Sequence, residues 1–217
     1  MDMKKRVDLV LFDLDGTLAD TGQDLAASVN FTRARFDLPP LAAPRIHVHV
    51  GLGVEHLLRH TLPVKNSAHF HEIIGVFTDH YEAHLLDTTV LYPGVRDVLE
   101  YFHGKRRVVA TNKIQRFAEA VVRGLGVDEC FDLILGGDSG AEKKPHPALL
   151  TLALERFQTP AASALMVGDG DTDIEAGKRA GVMTCGVTYG IGDKERLRAA
   201  KPDVMIEHLA ELRDHFD

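Results

Sequence analysis

The chain has 217 residues, 45% hydrophobic and 26% charged, with 25 Lys and Arg against 32 Asp and Glu for a net charge of −7. That length accommodates one sizeable α/β domain or a core with a smaller companion, and the acidic balance argues against the basic stripe of a nucleic-acid surface. Two cysteines, Cys130 and Cys185, lie far apart without a CxxC spacing, so a disulfide framework or zinc ribbon is unsupported and buried reduced thiols are expected.

Lys4, Lys5 and Arg6 precede a β-rich run, Val7–Phe12, which is interrupted by Asp8 and closed by Asp13 and Asp15. The run is too short and too acidic for a secretory or membrane segment, so a cytoplasmic protein without membrane contact is expected. From residue 20 to 86 the pattern is helical throughout. Leu25, Val29, Thr32 and Phe36 share one face before the Leu38-Pro39-Pro40 break. A second helix is predicted from near Gly53 to Pro63. A third, from about Ser67, aligns Phe70, Ile73, Ile74, Phe77, Tyr81 and Leu85. Hinges are predicted at 19–22 and at Tyr92-Pro93-Gly94.

Strand-like runs resume at Val108–Thr111, Phe131–Leu135, Ala164–Val167, Thr184–Val187 and Asp203–Ile206. Helical stretches separate them, such as the one carrying Phe117, Val121, Val122 and Leu125. This alternation predicts a parallel sheet with helices on both faces, and the near-continuous apolar strands agree. The predicted organisation is a core of residues 1–19 and 87–217 interrupted by a helical module at 20–86.

Chemistry concentrates at the predicted strand ends, where open α/β sheets bind ligands. After the first strand comes Asp13-Leu14-Asp15-Gly16-Thr17. Residues two apart on extended chain face the same side, so Asp13 and Asp15 share one site. Two such close carboxylates call for a cation or a proton between them. Thr111-Asn112-Lys113 follows the second long run, at a helix start suited to phosphate. Lys144-Pro145-His146-Pro147 presents a lysine between stiffening prolines. Gly168-Asp169-Gly170-Asp171-Thr172-Asp173 is an acidic loop whose hard oxygens suit Mg²⁺. Each segment alone has a bland reading as a cap, turn or surface charge. All four at successive strand ends make coincidence improbable.

These motifs, DLDGT at 13–17, TN at 111–112, KPHP at 144–147 and GDGDTD at 168–173, resemble the four motifs of the haloacid dehalogenase-like hydrolase superfamily. The resemblance covers nearly the whole chain and implies a Rossmann-like core with an inserted α-helical cap at 20–86. Within the superfamily the pattern most resembles phosphoglycolate phosphatases, including the Val50-Gly51-Leu52-Gly53 stretch. It implies attack on phosphorus by Asp13, forming an aspartyl phosphate, with Asp15 as leaving-group acid and then base. Mg²⁺ would be held by Asp13, the Asp15 backbone carbonyl and Asp169. Thr111, Asn112 and Lys144 would hold the phosphoryl oxygens, and Asp173 would orient Lys144. Gly51 and Arg45 are the expected cap contributions, with Arg45 a candidate partner for a substrate carboxylate. The expected partner is a small phosphorylated metabolite, bound by a monomer or homodimer. Asp171 is expected to be solvated, and the KPxP register favours Lys144 over Lys143.

Asp15 argues against a dehalogenase, which the resemblance implies would lack it. Lys65, the only lysine of the insertion, shows no setting for a phosphonatase Schiff base. A phosphomutase of the β-phosphoglucomutase type, a sugar or nucleotide phosphatase, and a binding protein on a retired core stay open. Eight of the twelve histidines lie at 47–84. His56/His60 and His80/His84 have helical ligand spacing, yet no acid follows in the HExxH manner and zinc needs a third ligand. A polar helix face, or a cap charge that rises below about pH 6.5, is the expectation.

Overall fold

In a computed structural model, which describes residues 4–217, the chain opens with β1 (Leu9–Phe12), every residue of which is buried. A two-residue strand β2 (Ala19–Asp20) leads into four helices: α1 (Gly22–Arg35), α2 (Ala43–His47), α3 (Val54–Thr61) and α4 (Ser67–His84). The chain returns through β3 (Val90–Leu91) and α5 (Val95–Tyr101). Strands and helices then alternate as β4 (Arg106–Ala110), α6 (Gln115–Gly124), β5 (Leu133–Leu135), α7 (Ala148–Phe157), β6 (Ala164–Gly168), α8 (Asp171–Ala180), β7 (Met183–Val187), α9 (Lys194–Ala199), β8 (Val204–Ile206) and α10 (Leu212–His215). No helix among the described residues is long and apolar enough to cross a membrane.

Six strands form one parallel sheet in the order β5-β4-β1-β6-β7-β8. The period-two alternation of β1 divides its side chains between two cores. Leu9 and Leu11 join Val108, Met166 and the α7 residues Leu149, Leu150 and Ala153. Val10 and Phe12 join Val109, Val167 and the α5 and α6 residues Val98, Leu99 and Val121. Both faces are therefore covered, which is why these strands read as unbroken apolar runs. With Phe12 level with Val109 and Val167, the carboxyl ends of β1, β4 and β6 open on one point.

In the helical segment α1 packs on α4, burying Leu25 and Val29 against a set that includes Phe70, Ile73 and Phe77. Two features depart from the sequence reading. The first predicted hinge forms an antiparallel ribbon with the residues just before the second, Ala19 opposite Leu91 and Asp20 opposite Val90. Two-residue strands have no periodicity to detect. This ribbon forms where the ends of the insertion meet, and buried Asp24 of α1 accepts hydrogen bonds from the amides and hydroxyls of Thr88 and Thr89 at 2.6–3.1 Å. The short helix α2, opened by Pro44 in its first turn, also lacks a readable stripe because only Ile46 of its five residues is buried.

Candidate active site

Asp13 continues β1, its amide donating to the carbonyl of Val167 at 2.9 Å. Lys144 reaches it from the loop before α7: Nζ lies 3.0 Å from Asp13 Oδ1, 2.6 Å from Asp173 Oδ1 and 2.7 Å from the Ala110 carbonyl. These three acceptors use all three ammonium protons. Burial alone would push the Lys144 amine down; Asp13 and Asp173 instead raise it, so it stays charged. Lys144 is buried, whereas Lys143 is half-exposed and does not reach Asp13. The other Asp173 oxygen accepts from the Gly170 amide at 3.0 Å, closing the first turn of α8. Asp13 Oδ1 also accepts from the Leu14 amide at 2.8 Å, and Oδ2 meets no donor among the described residues.

Asp169 lies beside them at the end of β6. Its Oδ2 accepts from the amides of Ile191 and Gly192, both at 2.8 Å, while Oδ1 faces only the Thr17 hydroxyl at 3.4 Å. Burial, then Asp13 and Asp173, push its carboxyl up to about 8. One oxygen each from Asp13, Asp169 and Asp173 falls within 4.8 Å of the others. Three buried carboxylates with one ammonium leave an excess of negative charge that a hard divalent cation would offset. With Asp173 occupied by Lys144 and Gly170, the oxygens open to such a cation belong to Asp13 and Asp169.

The β4 end contributes Thr111, Asn112 and Lys113. Thr111 Oγ1 accepts from the Lys113 amide at 3.3 Å, which leaves its own proton to donate. The Asn112 side chain accepts from the Lys144 amide and donates to the carbonyls of Lys144 and Gly51, each at 2.8 Å. Asn112 thus braces Lys144 and ties the helical segment to the sheet through its side chain. Lys113 is a functional candidate that the sequence reading missed. Its Nζ lies 2.9 and 3.1 Å from the Asp15 oxygens and 2.7 Å from Tyr81 Oη of α4. Burial opposes its charge, but Asp15 and Tyr81 carry it above the ordinary lysine value. Asp15 Oδ1 also accepts from Thr21 at 2.7 Å. The available signal was position: Lys113 directly follows Thr111-Asn112 at a strand end.

Two cavities meet at Asp13, Asp15, Val50 and Gly51. One is walled by Leu25, Val54, Leu57, Phe77 and Phe117; the other carries the charged or titratable side chains of His47, Asp169, Asp171 and Arg196. Gly51, at φ +93°, spans both. Arg45 lines neither. It is exposed on α2, where the helix turns its side chain away from the buried Ile46 face. The cation at the cavity is Arg196, which holds Asp171 at 2.6 and 3.1 Å; Asp171 is paired where a solvated side chain was expected. Burial first, then charge repulsion that includes neighbouring histidines, lowers His49, His56 and His80 below the usual imidazole value. These three rings therefore gain charge only at lower pH than expected from sequence.

The family profile "Haloacid dehalogenase-like hydrolase" matches residues 10–187. The chain belongs to this family. Among curated relatives, the phosphoglycolate phosphatase of Chromobacterium violaceum is 36% identical over 97% of this chain and 96% of its own length. That of Colwellia psychrerythraea is 34% identical over 94% and 95%. Among solved structures, a predicted phosphoglycolate phosphatase from Haemophilus somnus superposes with a TM-score of 0.92 at 29% identity, covering 96% of this chain and 97% of that one. CbbY from Rhodobacter sphaeroides in complex with phosphate gives 0.81 at 27% identity over 95% and 96%.

Gly16 of this hydrolase leaves no room for a side chain. Gly16 sits at φ +82°, and a Cβ built there overlaps the Asp169 carboxylate. Gly16→Ala is expected to cost at least about 1–2 kcal/mol from left-handed strain and to pull Asp169 off its two amides. Urea unfolding checks the first effect; the second predicts weaker Mg²⁺ binding by calorimetry.

Proposed function

We propose that this hydrolase is a magnesium-dependent phosphatase of small phosphate monoesters, with 2-phosphoglycolate as preferred substrate, acting in the cytoplasm as a monomer or homodimer. The observation that carries the chemistry is Asp13, buried between Lys144 and Asp169 with one oxygen that meets no donor among the described residues. The substrate rests on the relatives' names.

Asp13 attacks phosphorus in line through one carboxylate oxygen while the other is left for the cation, and the leaving alkoxide takes its proton from Asp15. Asp15 is aimed by Lys113 and Thr21 and then accepts a proton from the water that cleaves the aspartyl phosphate. Thr111 and Lys144 hold the phosphoryl oxygens. Because the protons of Lys144 are all engaged, a phosphoryl oxygen would displace Asp13 Oδ1 from it. Asp13, Asp169 and the Asp15 carbonyl would hold Mg²⁺, which would supply charge neutralisation at the phosphoryl group. Residues 20–86 act as a cap that excludes water and meets the leaving group, with Tyr81 and Gly51 its links to the core. Lys65 is exposed, which supports no phosphonatase chemistry.

The apolar wall of Leu25, Val54, Leu57, Phe77 and Phe117 favours a second reading, a phosphate ester with a larger, less polar leaving group. Phosphate release from 2-phosphoglycolate, hexose phosphates, nucleotides and aryl phosphates, with Mg²⁺ or with EDTA, tests both. Magnesium-dependent turnover with 2-phosphoglycolate at the highest kcat/KM is expected. Preference for another ester would retain the chemistry and remove the substrate assignment. Turnover unchanged by EDTA would contradict the metal role. Lys113→Met is expected to lower kcat about 10²-fold, the lower end of what general acid–base catalysis contributes, with little change in KM. A KM effect alone would reassign Lys113 to substrate binding.

A further inference from the structure

We propose that His49, His56 and His60 form a transition-metal site on the cap, taking a borderline cation such as Zn²⁺, Co²⁺ or Ni²⁺ through three imidazole nitrogens. His56 and His60 stand one turn apart on α3, and the third ring arrives from the turn after α2. The ring centroids lie 3.9 Å apart for His56–His60, 4.8 Å for His49–His60 and 5.6 Å for His49–His56. One nitrogen from each falls within 4.8 Å of the other two. Bonds of about 2.0–2.1 Å in a tetrahedral site set ligand nitrogens roughly 3.4 Å apart. Small ring rotations therefore close the site, with water in the fourth position.

Three further observations favour a cation over a stack of idle rings. His60 Nδ1 lies 2.8 Å from the His56 carbonyl. A carbonyl only accepts, so Nδ1 carries the proton and the Nε2 lone pair is left for a metal, the arrangement that orients ligating histidines. His49 and His56 have no hydrogen-bond partner for their rings among the described residues, whereas the other helical pair is otherwise engaged. His80 meets Ser28 Oγ at 2.9 Å and His84 meets Asp87 Oδ2 at 2.8 Å. Finally, the nearby positive charge of Arg196 is partnered by Asp171, which reduces its repulsion of a cation at His56.

The site is chemically distinct from the carboxylate cluster at Asp13. Imidazoles select borderline transition metals, and hard oxygens select Mg²⁺. It is also mechanically connected to that cluster. His49 lines the cavity containing Asp13 and Asp15 and lies two residues before Gly51, whose carbonyl is held by Asn112. A bound cation ties α3 to this loop over the active site.

Co²⁺ titration in excess Mg²⁺ tests the proposal, because tetrahedral imidazole-bound Co²⁺ absorbs strongly in the visible whereas octahedral carboxylate-bound Co²⁺ is faint. One coloured equivalent per chain, displaced by Zn²⁺, is expected. His56→Gln and His60→Gln should each weaken binding by at least about 100-fold, the upper end of what losing a second-shell partner alone costs. A His80→Gln/His84→Gln control should bind as the parent does. Zn²⁺ should raise Tm in the parent and not in His60→Gln, an exposed position, which keeps the test valid should His56→Gln fold poorly. No coloured equivalent at micromolar Co²⁺, or a titration that survives both substitutions, would overturn the site.

Discussion

Asp13→Asn is expected to abolish phosphate release, by on the order of 10⁴-fold or more, the scale seen when a nucleophile is removed from its catalytic unit. The amide keeps the shape of the carboxylate but cannot form an acyl phosphate. The fold should survive. Asp13 is one of three buried carboxylates crowded within ligand distance, and it helps push Asp169 up to about 8. Removing its charge relieves that repulsion, and Lys144 keeps Asp173 as partner at 2.6 Å. Stability in EDTA should therefore equal or exceed that of the parent while activity disappears. Thermal unfolding and phosphate release on one preparation check both halves. An inactive variant that is also unfolded would leave Asp13 with a structural role.

Lys144→Ala is expected to fail in both respects. Its ammonium is the lysine contact of both Asp13 and Asp173 among the described residues, and removing one partner from a buried ion pair costs about 3–5 kcal/mol. The sign of the pH effect follows. Burial, only partly offset by Lys144, already raises the Asp173 carboxyl to about 6, and loss of the ammonium raises it further. A carboxyl whose folded pKa lies above its unfolded value destabilises the fold as pH rises between the two, and the penalty vanishes below both. The variant should thus be least stable relative to the parent near pH 7 and recover towards pH 4, in metal-free urea titrations. Phosphate release should fall at least about 10²-fold, comparable to losing one preorganised donor to the transition state. A pH-independent loss of stability would mean that packing, and not charge, is what Lys144 supplies.

The two predictions concern the residues most legible in the sequence, and the reason is physical. Strands buried on both faces read as apolar runs, so β1, β4 and β6 were visible, and with them the places where Asp13, Thr111 and Asp169 emerge. What the sequence concealed depends on contacts between distant segments. Tyr81 looked like one more core residue of the α4 stripe, and it is buried, but its hydroxyl reaches a lysine 32 positions away. The amides of Ile191 and Gly192 that hold Asp169 belong to a glycine-rich loop with no side-chain signature. Arg45 and Arg196 show the converse case. Both are arginines on short helices, and only the packing of α2 and α9 decides which one faces the cavity. The histidines are similar: two share the helical spacing of α3, while the third depends on how the chain turns between α2 and α3.

The most direct test is to catch the phosphoryl group on the protein. The hydrolase, loaded with Mg²⁺ and turning over a ³²P-labelled substrate, is quenched in acid on the millisecond scale, reduced with borohydride, and mapped by peptide mass spectrometry. An aspartyl phosphate reduces to homoserine, so conversion at position 13, lost in Asp13→Asn, is the predicted result. Rapid turnover with label at another residue, or with no labelled protein while rate-limiting breakdown is established kinetically, would contradict Asp13 as the nucleophile.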